Sequence, residues 1–257
     1  MILETLSYSM WIYFFIFFRL IGIVLFIPLF SSQFLPVHTK VFISLFISYL
    51  ILPSVNDTMP LNSSVGSIVY YMILNFLIGI TIGFITNILF YAVQFAGETI
   101  GMQMGFSVAN VFDPLSNDEI SILSEFSFLF SVLFFFIIKG PLILYTLVID
   151  SFNKIPVIFN LNFENYSLFS QKLFDVIIIG VKLSMPVIAF MILIKVALGI
   201  VSRLIPQVNV FMVGMPIEIL VGFLLFLGVI MIWEDQFTTL FFQLIEWIKK
   251  SMILLSR

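Results

Sequence analysis

The chain has 257 residues, of which 61% are hydrophobic and only 10% are charged, and its formal net charge is -3. An ordinary soluble domain carries about 25% charged residues, so this composition excludes that class and indicates an integral membrane protein. The near-neutral charge gives no electrostatic case for binding nucleic acid. The chain has no cysteine, which excludes disulfides, thiolate metal sites and a catalytic thiol.

Six apolar runs follow one another along the chain, and a helix needs about 20 residues to cross the hydrocarbon core. They predict an all-α membrane protein with hydrophobic helices near residues 8–30, 41–52, 68–96, 122–149, 173–201 and 211–233. The second run, closed by Pro53, is short for a perpendicular crossing. No basic residue precedes the first run, so it lacks the positive start of a cleaved signal peptide and is expected to be retained.

The third predicted helix carries small residues at four-residue steps. Asn75, Gly79, Gly83 and Asn87 form one series, and Gly97, Gly101 and Gly105 form another. Such spacing lets a second helix approach backbone to backbone, which membrane helices need because the bilayer gives them no hydrophobic reason to associate. The pattern predicts close helix packing, either inside one chain or against other subunits.

Charged residues inside or beside the apolar runs are expected to be buried and to have partners, because a charge near the bilayer centre costs about 2.5 to 3.5 kcal/mol even on the mildest scale. Asp175 and Lys182 are seven residues apart and therefore share a helix face. Structural ion pairing or snorkelling is the main interpretation, and a proton relay is the alternative. The residues expected to be buried are Arg19, Glu98, Asp175, Lys182 and Lys195.

The segment after the sixth run is predicted to be an amphipathic helix over 236–255. Its apolar residues recur at helical spacing, and Glu246 and Lys250 are in i,i+4 register on another face. Two placements stay open, one at the membrane surface and one against a specific partner.

The stretch from Gly97 to Pro114 interrupts the apolar sequence with glycines, an acid, amides and methionines. Irregular or polar backbone at membrane depth survives only where protein or a water-filled cavity surrounds it. The segment is therefore expected to line a cavity. Enzyme chemistry finds little support, because the one histidine, His38, has no second histidine or carboxylate pair beside it in the sequence. No cofactor or metal is expected.

Two long motifs resemble a known family. They are the run Gly97 to Pro114 and the run Ser202 to Pro216, which contains Arg203, Pro206, Gln207, Asn209 and Phe211. Supporting matches are Arg19, Gly22, Pro28, Ser151, Phe152 and Pro156. Over essentially its whole length, the chain resembles the flagellar biosynthetic protein FliR family and its relatives in virulence secretion, the SctT type.

The resemblance implies a subunit of a type III secretion export gate in the bacterial inner membrane, at the flagellar basal body. It implies a helical pore with FliP-like and FliQ-like subunits, further FlhB-like and FlhA-like export proteins, and unfolded polypeptides as cargo. On this analogy 1–170 is a FliP-like part, 171–235 is a FliQ-like helical hairpin with a cytoplasmic turn at Arg203 to Phe211, and 236–257 is the C-terminal amphipathic helix. An injectisome subunit is the alternative. A secondary transporter is less favoured, since no internal repeat is evident.

The resemblance also implies that the loop after the third helix plugs the channel. Carried onto this sequence, the plug is 106–112, with Met102 and Met104 near the constriction. Where relatives often place aromatic residues, this chain has Val108 and Val111, with Phe106 and Phe112 beside them. The sealing residues are therefore expected among these six side chains. The alternative for Met102, Met104 and Val108 is packing in the core or contact with lipid.

Overall fold

A computed structural model describes residues 2–27, 35–55, 64–106, 122–159, 166–205, 207 and 209–255, with side chains left out at 2–9, 166–177, 210–211 and 254–255. The described residues form seven α-helices and one short 3-10 turn, Leu52–Ser54. The helices are α1 (Ile2–Phe26), α2 (Val37–Ile51), α3 (Val65–Gln103), α4 (Ile122–Ile137), α5 (Gly140–Lys154), α6 (Tyr166–Leu204) and α7 (Val210–Leu255). The predicted all-α membrane fold is confirmed.

Four described segments are long and apolar enough to cross a membrane: Val37–Ser54, Val65–Gln103, Ile178–Leu204 and Met212–Ile253. The α4–α5 pair makes a fifth span if both helices are counted together, and the part of α1 whose side chains are described, Met10–Phe26, is apolar and shorter. The described parts of all six apolar runs are thus mainly helical, and the fourth run contains a turn at 138–139.

The fourth run is not one helix, which corrects the prediction of a continuous segment over 122–149. The break comes at Lys139, whose φ of 57° lies in the left-handed region, and α5 restarts at Gly140 with Pro141 in its first turn. Proline lacks the N–H group of a helix interior and its ring clashes with the preceding turn. The sequence Lys139-Gly140-Pro141 carried this signal.

The C-terminal segment is helical, as predicted, but it is not a separate helix. It continues α7, which runs unbroken from Val210 to Leu255. Phe241, Ile245 and Ile248 are buried. Lys249 Nζ lies 2.8 Å from Asp150 Oδ2 on α5, and Lys154 Nζ donates to the Lys249 carbonyl at 3.0 Å. The segment therefore packs on its own chain, an arrangement that neither of the two expected placements included.

The chain divides into two compact units. Unit 1 comprises Met1–Ile88, Phe135–Gln171 and Phe241–Arg257, and unit 2 comprises Leu89–Phe134 and Lys172–Leu240. These units are interleaved along the sequence and differ from the predicted segments 1–170, 171–235 and 236–257. The predicted segments were defined by resemblance to FliP-like and FliQ-like proteins and not by compactness. The predicted division therefore stays a prediction.

In unit 1, α1 and α3 cross with their backbones in contact. A Cβ on Gly79 would overlap the Arg19 carbonyl oxygen, and one on Gly83 would lie 2.7 Å from the Ile23 carbonyl oxygen. Gly22 meets α3 from the other side, where a Cβ would lie 2.6 Å from the Phe76 carbonyl oxygen. The small-residue series at Gly79 and Gly83 therefore serves packing inside the chain.

In unit 2, α6 and α7 form an antiparallel hairpin that holds the second half of α3. Trp233 Nε1 donates to the Leu183 carbonyl at 3.2 Å. The two residues are similarly far along the sequence from the segment that connects α6 to α7, as expected for antiparallel helices. A Cβ on Gly180 of α6 would lie 2.9 Å from the Ala92 carbonyl oxygen of α3. On the α7 side, the rings of Phe90 and Phe237 meet edge to face, with centroids 5.6 Å apart. The end of α3 is thereby placed within the hairpin's reach.

Candidate functional site

The end of α3 is a Schellman cap built on Gly105. The Phe106 N–H donates to the Gly101 carbonyl and the Gly105 N–H to the Met102 carbonyl, both at 3.2 Å, and Gly105 has a φ of 86°. These two bonds and the left-handed residue define the motif, which glycine adopts because it has no Cβ to clash. Of the predicted packing glycines, Gly105 therefore ends the helix and fixes the direction in which the chain leaves it.

The structure separates the two methionines expected at a constriction. Met104 is fully buried, and its side chain fills the space beside Gly222 of α7, where an added Cβ would lie 3.0 Å from Sδ and would overlap Cγ. Met102 is half exposed. Methionine fills irregular gaps well because its chain is unbranched and flexible. In this conformation Met104 anchors the last turn of α3, and Met102 is available to other molecules.

Two charged groups lie at the same end of α3. Lys195 Nζ, from α6, donates to Gln103 Oε1 at 2.8 Å. A carboxylate oxygen of Glu218, from α7, lies 4.0 Å from the position that a Cβ on Gly105 would take. Both residues interrupt apolar stretches of their own helices. The helix end thus meets one cation and one anion supplied by the hairpin.

The glycines upstream of the cap lie inside unit 2. A Cβ on Gly97 would lie 2.6 Å from the Leu123 carbonyl oxygen and would overlap Ser127 Oγ, so α4 rests directly on α3 here. Gly101 is buried. Phe106 is the last described residue before the gap and is partly exposed, while Val108, Val111 and Phe112 lie outside the described residues.

Arg19 is the centre of a buried polar cluster in unit 1. Its Nη2 and Nε atoms donate to Asn75 Oδ1 at 2.6 and 3.0 Å, and its Nη1 donates to the Ile155 carbonyl at 3.0 Å. The guanidinium also lies 4.1 Å from the ring centroid of Phe152 and within 3.3 Å of Ser151 Oγ. Arginine presents a fixed fork of donors and stacks on aromatic faces. The partners expected for Arg19 therefore come from α3, α5 and the segment after α5.

The other charges expected to be buried have different positions. Glu98, Lys182 and Lys195 are exposed on this chain, so the chain alone does not bury them. The side chain of Asp175 lies outside the described residues, which leaves its suggested pairing with Lys182 a prediction. Of the hairpin-turn residues, Arg203, Gln207 and Asn209 are exposed, whereas Pro206 and the Phe211 side chain are not described.

Sequence reasoning missed several residues that make these contacts. Asn75 was noted as a small residue and not as the partner of Arg19. Glu218 and Gly222 were not singled out, although they are polar or small interruptions one turn apart in an apolar helix. Such interruptions are the usual mark of a contact inside a membrane helix bundle. Among the described residues, no group of three or more His, Cys, Asp and Glu side chains is placed to hold a metal.

The outward-facing side chains of both units are largely apolar. Phe42, Phe46 and Tyr49 are exposed on α2, while Lys40, Ser44 and Ser48 of the same helix are buried. Soluble monomers rarely expose contiguous apolar patches of more than a few hundred Å². These exposed side chains therefore need an apolar environment, and the fold is that of a multi-pass helical membrane protein.

Comparison with known families narrows the class. The family described as "Bacterial export proteins, family 1" matches residues 10–244. The chain belongs to this family, and the resemblance to the flagellar biosynthetic protein FliR family is confirmed.

Relatives called "Flagellar biosynthetic protein FliR" come from several bacteria. The chain is 31% identical over 212 residues to that of Pectobacterium carotovorum subsp. carotovorum, covering 82% of this chain and 80% of the relative. It is 32% identical over 217 residues to that of Bacillus subtilis (strain 168), covering 82% of each. It is 31% identical over 214 residues to that of Escherichia coli (strain K12), covering 82% and 81%.

Proposed function

We propose that this chain is a subunit of the flagellar type III secretion export gate. With FliP-like and FliQ-like subunits it forms a helical pore in the bacterial inner membrane at the flagellar basal body, and unfolded flagellar proteins pass through that pore. FlhB-like and FlhA-like proteins work beside it, and its own role is non-catalytic. The observation that carries this proposal is the family match over residues 10–244, together with the flagellar names of relatives of similar length.

The exposed apolar faces of the α6–α7 hairpin support a place among similar hairpins. Leu193, Val196 and Ile200 are exposed on α6, and Leu220 and Leu224 are exposed on α7. Neighbouring helical hairpins or lipid can cover such faces, whereas water cannot do so without a large free-energy cost. In the proposed assembly, FliQ-like hairpins cover part of this surface.

The same proposal includes closure of the channel by the segment that follows Gly105. The Schellman cap supports it, because it ends a 39-residue helix at a defined point and in a defined direction. Met102 and Phe106 flank that point, and 107–112 completes the plug. Flexible methionine and apolar side chains suit a seal that excludes ions and yields to a polypeptide. Met104 contributes from inside, as an anchor for the helix end.

Mass measurement of the intact complex tests the assembly. The chain, expressed with its neighbouring export genes and extracted in mild detergent, is expected to purify with FliP-like and FliQ-like subunits as one mixed particle. A monodisperse single-subunit particle that transports a small solute would instead support the secondary transporter. Gene deletion separates the two secretion roles, since a flagellar gate is needed for motility and an injectisome gate for effector secretion.

Removal of 107–112 tests the plug. Cells that carry the shortened chain are expected to leak ions at rest, while the complex still assembles. If cells with the deletion contain the assembled complex and have an unchanged resting conductance, the plug is wrong. The assignment of the chain as a gate subunit then still stands.

A further inference from the structure

We propose that Lys195 is a positioning residue for the closed channel, and that its hydrogen bond to Gln103 is a latch on the last turn of α3. In this Lys195–Gln103 latch, Lys195 Nζ donates to Gln103 Oε1 at 2.8 Å. The inference rests on the proposed plug, since it assigns the latch to the helix end from which that segment departs.

The C-terminal end of α3 is electrostatically suited to a cation. A helix carries partial negative charge at its C-terminal end, where a cation is stabilising. The last turn of α3 contains no basic residue of its own. Lys195 supplies the missing cation from α6 by bonding Gln103, the final residue of the helix. Glu218 lies beside Gly105 at the same end and adds negative charge there. Removing the lysine therefore leaves the helix end with unfavourable charge as well as a lost hydrogen bond.

The contacts that hold this turn contrast with one another. Met104 is buried against Gly222, and the Schellman bonds are made by the backbone. The Lys195–Gln103 contact lies at the exposed surface and joins two long side chains. A contact between two side chains at the surface of the chain can break without opening a cavity, whereas withdrawing Met104 leaves a void. Of these contacts, the latch is the one that can open and close during export.

The position of Lys195 within α6 also supports the latch. An ammonium on an apolar helix is retained where it has a partner or water. Lys182 is also exposed on α6, thirteen positions earlier in the numbering. It shares the charge and the helix of Lys195, so its replacement tests whether any exposed lysine on α6 matters. This makes Lys182 the matched control.

The test measures resting ion leak in cells that express the full gate with variants of this chain, and each variant complex is checked for assembly by co-purification. Lys195→Met and Gln103→Leu are each expected to raise the leak about threefold, the scale of an exposed contact made by a charged side chain. Lys195→Arg keeps the cation and its donors and is expected to restore a tight channel. Lys182→Met is expected to match the unaltered chain.

The double variant Lys195→Met/Gln103→Leu decides whether the two residues act together. A latch predicts that the double variant leaks no more than either single variant, because both remove the same contact. Multiplied effects, or a Lys195→Met leak equal to that of Lys182→Met, would overturn the latch. If deleting 107–112 opens the channel while Lys195→Met does not, the plug stands and the latch is wrong. If deleting 107–112 does not open the channel, both the plug and the latch are wrong.

Discussion

The Arg19 cluster in unit 1 and the end of α3 in unit 2 are both polar sites inside an apolar chain, but they are built differently. Arg19 is fully buried and donates to a side-chain amide, a hydroxyl and backbone carbonyls. The Gln103 contact is exposed and depends on two flexible side chains. A buried cluster with several fixed acceptors strongly disfavours alternatives, because each lost bond leaves an unsatisfied group. We infer that unit 1 is a fixed scaffold and that the end of α3 in unit 2 is adjustable.

The largest expected effect comes from removing the centre of the fixed cluster. Arg19→Met keeps much of the side-chain length but strands Asn75 Oδ1 and the Ile155 carbonyl. Each buried acceptor that loses its donor costs about 1 to 3 kcal/mol, so losing the donors to both groups lowers the free energy of unfolding by about 2 to 6 kcal/mol. A thermal shift of the detergent-purified protein is expected to reveal a large loss of stability, or the chain will fail to accumulate.

Arg203→Met is the matched control for that substitution. Arg203 is exposed in the last turn of α6, so its replacement is expected to change the free energy of unfolding by no more than about 0.5 kcal/mol. Equal losses from the two arginine variants would show that charge alone, and not burial in the cluster, determines the stability of this chain.

A smaller effect is expected where α1 and α3 touch. Gly79→Ala forces a methyl group against the Arg19 carbonyl and the Cα of Gly22, which are backbone atoms that cannot rotate away. Overpacking of this kind costs about 1 to 3 kcal/mol. In Gly199→Ala the new methyl group meets nothing within 4 Å, and alanine favours a helix over glycine. The same thermal measurement is expected to separate the two, and a neutral Gly79→Ala would contradict a rigid crossing.

Most of the fold could be predicted from the sequence because membrane helices consist of long apolar runs. The main errors lie where an apolar run continues although the helix ends, or where a helix continues although the apolar run ends. The Lys139-Gly140-Pro141 break has apolar residues on both sides, so apolar patterning alone joins α4 and α5 across a signal that the glycine and proline carry. The continuation of α7 past 235 was hidden by Glu234 and Asp235, which are exposed and so do not end the helix. Apolar periodicity reports burial and membrane depth, not helix ends.

The candidate site could be predicted only in part. The polar stretch from Gly97 onward correctly indicated the C-terminal end of α3 as the site, and the glycines at four-residue steps indicated close helix contacts. Which helix meets which depends on contacts between residues about 90 to 130 positions apart, such as Lys195 with Gln103 and Ser151 with Arg19. A single sequence carries no pairing information of that kind. The separation of Met102 from Met104 likewise follows from Gly222, a residue on another helix.

Apart from the control variants, the smallest expected effect lies at Gly222, where the contact is with a side chain. Gly222→Ala also creates an overlap, but its neighbour is the flexible side chain of Met104 and not backbone. The helix gains about 0.5 to 1 kcal/mol from alanine, which offsets part of the strain, so the free energy of unfolding is expected to change by less than about 1 kcal/mol.

The informative measurement at Gly222 is therefore the coupling to Met104. In the double variant Gly222→Ala/Met104→Ala the new methyl group occupies space that the methionine has vacated, so the combined loss should be smaller than the two separate losses added together. Strict additivity would mean that Met104 is not seated on Gly222. A loss for Gly222→Ala as large as that for Gly79→Ala would mean that the buried side chain of Met104 yields no more than backbone does.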